Sequence, residues 1–119
     1  MNLDQLEVHV EKIESISVMR VEGSITSFTH SKFLEEVKHS NRKGGLIIDM
    51  EDIAVISSTG IEALRKIIDF SYISGNKIVL LNLSPHVKQV LNMMGYLKIF
   101  TVAPNEELAM KMAMKSSNR

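Results

Sequence analysis

The 119-residue sequence has no cysteine, no tryptophan and only two prolines, and its 14 Lys and Arg offset its 14 Asp and Glu. Each shortage excludes something. Without cysteine there is no disulfide framework, no thiolate nucleophile and no cysteinyl metal site, and redox logic leaves the compartment open. Zero net charge argues against broad electrostatic capture of nucleic acid or of an acidic membrane. Aromatic residues make up 5%, too few to provide the stacking platforms of single-strand binders. Apolar runs last only a few residues, far short of a membrane span. The opening Met1-Asn2-Leu3-Asp4-Gln5-Leu6-Glu7 has neither a basic start nor the apolar core of a secretory signal. The expectation is a cytoplasmic protein with no direct nucleic-acid contact and no membrane insertion.

What is present suits a packed α/β domain. Hydrophobic residues reach 45% against 24% charged, with eight Met, and the length fits a single domain over 1–119 with its core in about 6–112. Leu6, Val8 and Val10 alternate with Glu7, His9 and Glu11, and Ile16-Ser17-Val18-Met19-Arg20-Val21 continues the period-two pattern after a polar step. Gly23 is the expected end of this hairpin. Thr29 is the expected N-cap of a helix carrying Phe33, Leu34 and Val37 and ending near Ser40-Asn41. Leu46-Ile47-Ile48 reads as a strand covered on both faces that leaves the core at Asp49 and Asp52. A short stretch, 53–56, then leads into a helix with Ile61, Leu64, Ile67, Ile68 and Tyr72 on one face and a stop at Ser74-Gly75-Asn76. Lys77 to Leu81 is a further strand. Ser84-Pro85 opens a helix with Val87, Val90, Leu91 and Met94, ended by Gly95. Leu97 to Val102 reads as the last strand. Asn105 caps a final helix, with Leu108, Met112 and Ala113 inward, Met110 and Met114 off the stripe, and a frayed tail at 115–119. The order β-β-α-β-α-β-α-β-α gives a mixed sheet with an antiparallel N-terminal hairpin, helical crossovers and about four helices.

Catalytic constellations are hard to find. His9, His30, His39 and His86 lie on different elements with no i,i+4 pair, which gives no metal or triad pattern. Asp49, Glu51 and Asp52 read as the polar exit of a buried strand rather than as an acid–base pair. Gly44-Gly45 precedes a strand and lacks the Lys-Ser/Thr of a phosphate loop. No cofactor, metal or enzymatic activity is expected. The informative stretch is Ser57-Ser58-Thr59-Gly60, three hydroxyls where a helix begins. One of them suffices to cap that helix, which contributes about 1 kcal/mol. The alternative is a phosphorylation switch: the exposed amides and macrodipole of a helix start tolerate a charge of about −2, whereas a close-packed neutral interface does not.

The run from Leu46 through Asp49 and Ile56 to Ser57-Ser58-Thr59-Gly60-Ile61-Glu62-Ala63-Leu64 resembles the signature of STAS domains of the anti-sigma-factor antagonist family. That signature is an apolar strand ending in Asp or Asn, a short apolar stretch, and Asp-Ser-Ser/Ala/Thr-Gly-Leu opening a helix. Val21-Glu22-Gly23-Ser24-Ile25 sits where the family has a Gly-Glu-Leu-Asp turn, and Leu83-Ser84-Pro85-His86-Val87 resembles its Ser-Pro-x-Val helix start. The resemblance implies a non-enzymatic module that binds an anti-sigma factor doubling as a serine kinase. It also implies a metal-dependent serine phosphatase as the second partner. Carried over, the phosphate acceptor is Ser58, with Thr59 as an alternative, and the partner surface includes Ser24, Thr26, Ser57, Ser58, Thr59, Gly60, Ile61 and Glu62. Two departures stand out: the family Asp before the acceptor is Ser57, and its Gly-Glu-Leu-Asp reads Gly23-Ser24-Ile25-Thr26. A constitutive, unphosphorylated subunit of a transporter or a stress-signalling complex is the alternative function. A small-ligand sensor rests on fold analogy alone.

Overall fold

A computed structural model describes residues 3–114. The elements are β1 (Leu6–Ile13), β2 (Ile16–Ile25), α1 (His30–Lys43), β3 (Leu46–Ile56), α2 (Ser58–Ser74), β4 (Ile78–Leu81), α3 (Pro85–Met93), a 3₁₀ turn over Leu97–Ile99, β5 (Thr101–Ala103) and α4 (Glu106–Ala113). The frayed tail expected at 115–119 lies outside the described residues. The five strands form one sheet in sequence order. β1 runs antiparallel to β2, and β2 to β5 are parallel neighbours. The expected mixed sheet with its opening hairpin and four helices is therefore the fold.

Strand alternation distributes the apolar side chains to two cores. Met19, Val21, Leu46, Ile48 and Leu80 face one way, where Phe33 and Val37 of α1, Leu64 and Ile67 of α2 and Leu91 of α3 pack on them. Ile16, Val18, Ile47, Val79 and Leu81 face the other way, under Ala109 and Ala113 of α4. Three helices thus cover one face and one short helix covers part of the other. Phe33 and Leu64 are fully enclosed, and truncating either to Ala costs about 3–5 kcal/mol.

Several boundaries differ from the sequence expectation, each for a physical reason. The hairpin pairing ends at Gly23, opposite Leu6, as expected, but β2 itself continues through two register irregularities, with Gly23 at φ 118°, and pairs with β3 as far as Ile25. β3 leaves the core where Asp49 and Asp52 mark it, with Glu51 and Asp52 exposed, but it does not end there: β2 pairs with it to Ile56 after β4 has ended, so 53–56 belong to the same strand. α1 runs past Asn41, a fully buried residue whose amide group bonds the carbonyls of Asn76 and Lys77 (3.3 and 3.4 Å) and accepts from the Ser74 hydroxyl (2.6 Å). Thr29 occupies the N-cap position of α1, but its side chain makes no cap bond. The expected strand from Leu97 shrinks to three residues because the 3₁₀ turn uses its first half. Tyr72, expected inward, is 73% exposed. On α4 the buried stripe is Ala109 and Ala113: Leu108 is exposed, and Met110 packs beside Met112 at the core margin instead of lying outside it.

Candidate functional site

The parallel pairing of β2 and β3 ends with Ile25 beside Ile56, so both strands deliver their following segments to one edge of the sheet. In open α/β sheets that carboxyl edge is where loops and helix starts converge. The turn into α2 is pinned there. The Ser57 amide donates to the Ile25 carbonyl at 3.0 Å, and its own carbonyl accepts from the Ile61 amide at 2.8 Å. With extended backbone angles, Ser57 directs its Oγ to accept from the Gly60 amide at 3.2 Å. Ser57 is therefore the N-cap, and the helix start is satisfied without help from the next two hydroxyls. Gly60 is buried against β2, where a Cβ would overlap the Ile25 carbonyl oxygen and the Ile56 side chain. Glycine is required by that close approach.

Past the cap, the side chains divide by helical phase. Ser58 is exposed, and its hydroxyl makes no hydrogen bond among the described residues. Thr59 is half-buried. Ile61 turns into the main core at 2% exposure, and Glu62 returns to the surface one turn after Ser58. The Glu62 carboxylate accepts from the Tyr96 hydroxyl at 3.1 Å, tying the segment after α3 to α2. This hydrogen bond, with a smaller contribution from burial, raises the Tyr96 pKa above its ordinary value. The first turn of α2 contains no acidic residue, so the positive end of the macrodipole is not offset there.

The neighbouring loop after β2 is built from threonine hydroxyls. Thr26 Oγ1 donates to the Leu3 carbonyl at 2.6 Å and accepts from the Phe28 amide at 3.1 Å. Thr29 Oγ1 donates to the Ser24 carbonyl at 2.6 Å and accepts from the Thr26 amide at 3.0 Å. These bonds use both threonines internally and leave Phe28 projecting, 72% exposed. Ser24 Oγ is buried and unpartnered among the described residues, an arrangement that costs about 1–3 kcal/mol.

The edge thus brings together all eight residues assigned to the partner surface, but not in one role. Ser58 and Glu62 are exposed, and Ser57 and Thr59 are half-buried. Ser24, Thr26, Gly60 and Ile61 are enclosed and cannot present side chains to a partner; they set the shape of the surface from below. Exposed Phe28 and half-buried Tyr96, the latter through Glu62, join the neighbourhood without any motif to announce them. Asp49 belongs to a separate bracket: it accepts from the Glu51 amide and the Asn82 side chain at 3.0 Å each, and Arg20 lies 3.8 Å away.

With this geometry in place, comparison with known proteins is decisive. The family model for the STAS domain matches residues 7–109. The chain belongs to the STAS domain family. Among curated relatives, the anti-sigma factor antagonist BtrV of Bordetella bronchiseptica is 26% identical over 106 residues, covering 87% of this chain and 91% of BtrV. Among solved structures, a serine-to-glutamate variant of RsbS from Moorella thermoacetica is 25% identical, with a TM-score of 0.73 over 89% of this chain and 93% of RsbS. The phosphorylated form of SpoIIAA, a Bacillus cell fate determinant, shares the fold at 16% identity, with a TM-score of 0.66 over 89% of this chain and 99% of SpoIIAA. No helix among the described residues of this STAS domain is long and apolar enough to cross a membrane.

Proposed function

We propose that this STAS domain is a cytoplasmic anti-sigma-factor antagonist, a binding module rather than an enzyme, switched by phosphorylation of Ser58. Its partners in this reading are an anti-sigma factor that is also the serine kinase, and a metal-dependent phosphatase that restores the hydroxyl. The observation that carries the reading is the division of labour at the helix start. Ser57 takes the cap, which leaves the Ser58 hydroxyl exposed and unengaged in the first turn of α2. The names of the relatives support it, and so does a phosphorylated form of a protein with this fold.

The physics of the switch is a difference between two environments. Beside the unpaired amides of a helix start, a phosphate gains about 0.3–1 kcal/mol from the macrodipole. Its repulsion from Glu62 at i+4 costs about 0.2–0.5 kcal/mol. The fold is therefore nearly indifferent to the modification. A neutral protein interface closed over the same oxygen atoms would have to desolvate an unpaired dianion, which costs several kcal/mol.

The test is incubation with ATP and the cognate kinase, followed by intact mass and partner titration. One added phosphate is expected on the wild type and none on Ser58→Ala. Ser58→Ala retains partner affinity, and Ser58→Asp loses at least about tenfold, or about 1.4 kcal/mol. Failure to accept phosphate, with equal binding of both variants, would favour a constitutive subunit of a transporter or stress-signalling complex. Phosphate retained by Ser58→Ala but lost in Thr59→Ala would move the acceptor to Thr59.

A further inference from the structure

The sheet face that carries α4 is only partly covered. Beyond that helix, alternation on β1 and β2 sends Glu7, His9, Arg20 and Glu22 to solvent. The hairpin register sets Glu7 directly opposite Glu22 and His9 opposite Arg20. On the far side of β2, Asp52 stands in register with Glu22 and Asp49 with Arg20. One transverse row of the sheet is thus acidic on three adjacent strands. Like charges directly opposite each other destabilise a strand pair, and the nearest cation does not relieve them. Arg20 is drawn instead to Glu11 and Asp49, each at 3.8 Å.

The imidazole makes this more than an acidic row. His9 Nε2 lies 3.6 Å from Glu7 Oε1, and one ligand atom from each of Glu7, His9 and Glu22 falls within 4.8 Å of the others. In a tetrahedral site with bonds near 2.0–2.1 Å, donor atoms sit about 3.4 Å apart. The first pair is therefore already near the required spacing, and a Glu22 carboxylate oxygen lies within 4.8 Å of both. The backbone beneath is a continuously paired antiparallel hairpin, which holds the three Cα positions fixed. An imidazole nitrogen with two carboxylates suits zinc and its first-row neighbours.

From this geometry we infer that Glu7, His9 and Glu22 form a surface site for a divalent transition-metal ion of the zinc class. The ion takes one imidazole nitrogen and two carboxylate oxygens, completes its shell with water, and clasps the β1–β2 hairpin. The site lies on the sheet face, apart from the α2 start, and stands independently of the switch reading.

The experiment is a titration of the untagged full chain with zinc chloride, followed through the histidine ring resonances. The other three histidines serve as internal controls. The expected result is a saturable shift of His9 at one equivalent while His30, His39 and His86 stay in place. His9→Ala removes the saturable event. Glu22→Gln and Glu7→Gln raise the half-saturating concentration by at least the roughly tenfold that losing even an outer-shell partner costs. All three positions are exposed, so the variants keep the fold, which far-UV circular dichroism checks. Melting temperature gives a second readout: zinc raises it in the wild type and not in His9→Ala. Joint, non-saturating movement of all four rings would overturn the assignment. So would an unchanged zinc response in His9→Ala, or magnesium competing at equal concentration, which would mark a plain acidic patch.

Discussion

Gly60 tests the geometry of the α2 start. At an ordinary helix position, Gly→Ala stabilises by up to about 1 kcal/mol because alanine loses less backbone entropy. Here the added methyl would overlap the Ile25 carbonyl oxygen, which belongs to backbone and cannot rotate away. The start of α2 must then lift from β2. That movement strains the Ser57–Ile25 hydrogen bond of 3.0 Å, worth about 0.5–1.5 kcal/mol, and adds an overpacking penalty of about 1–3 kcal/mol. After subtracting the helix-propensity gain, the middle of these ranges gives an expected loss of about 2 kcal/mol. The chain has no tryptophan, so urea unfolding is followed by far-UV circular dichroism. With a slope of about 1–3 kcal/mol per molar urea, the midpoint should fall by about 0.7–2 M. Gly95→Ala is the contrast: it has open space around it but φ 75°, and loses only the left-handed penalty of about 1–2 kcal/mol. An unchanged or higher midpoint for Gly60→Ala, at constant slope, would refute the close approach and with it the rigid placement of Ser58.

Three further variants probe other parts of the structure. Ser57→Ala should destabilise by about 1 kcal/mol through loss of the cap, while Ser57→Asp, the family residue, should keep the wild-type urea midpoint or exceed it. Asn41→Ala should cost about 2–4 kcal/mol by the same assay, because it strips a fully buried amide from the carbonyls of Asn76 and Lys77 and from the Ser74 hydroxyl. Tyr96→Phe should change the alkaline limb of stability. The phenol donates to Glu62 and its folded pKa is raised above 10.0, so its contribution is complete below pH 10 and disappears as pH rises through the folded value. The difference in urea midpoint between wild type and Tyr96→Phe should be constant up to about pH 10 and shrink above it; a difference that grows with pH would refute the bond.

The order of elements was legible because the strands and helices carry unmixed periods: Leu46-Ile47-Ile48 admits little but a covered strand, and Ser84-Pro85 little but a helix start. The errors fall where local signals compete with a partner elsewhere in the chain. Asn41 has the composition of a helix stop, yet α1 passes through it because Asn76 and Ser74 meet its polar groups inside. Asp49 and Asp52 do mark the loss of burial, yet the strand continues to Ile56 because β2 goes on pairing with it across two register shifts. Tertiary contacts override propensity at such places. At the site, the Ser-Ser-Thr-Gly motif located the helix start, but one sequence cannot say which hydroxyl caps it. The answer depends on Ser57 being extended and on the Ile25 carbonyl beside it. Phe28 and Tyr96 carry no signal because exposure and the reach to Glu62 are properties of loops. The Glu7–His9–Glu22 group escaped for a related reason. Helical i,i+4 spacing finds no histidine pair, whereas strand spacing i,i+2 would have joined Glu7 to His9, and only the hairpin register adds Glu22.

The zero net charge of the chain conceals a separation that bears on the switch. Carboxylates gather on the open sheet face around Arg20, whereas the segment from Ser57 to Ile61, and the Ser24–Phe28 loop beside it, contain no charged residue. In the family pattern two acids flank the acceptor, and here hydroxyls replace both. Neither replacement leaves a geometric gap: Ser57 supplies the cap an Asp would supply, and Thr26 holds the loop through Leu3 and Phe28. The structure therefore keeps the shape of the helix start while removing its standing negative charge. A phosphate of about −2 would then turn a surface whose one nearby carboxylate is Glu62 strongly acidic, with no acid directly flanking the modified residue. A partner surface complementary to the unmodified state would meet a large local change in charge, with the macrodipole holding the fold steady beneath it. Restoring the acid with Ser57→Asp should accordingly reduce the ratio of affinities between the unmodified and phosphorylated forms, by weakening the unmodified complex while sparing stability.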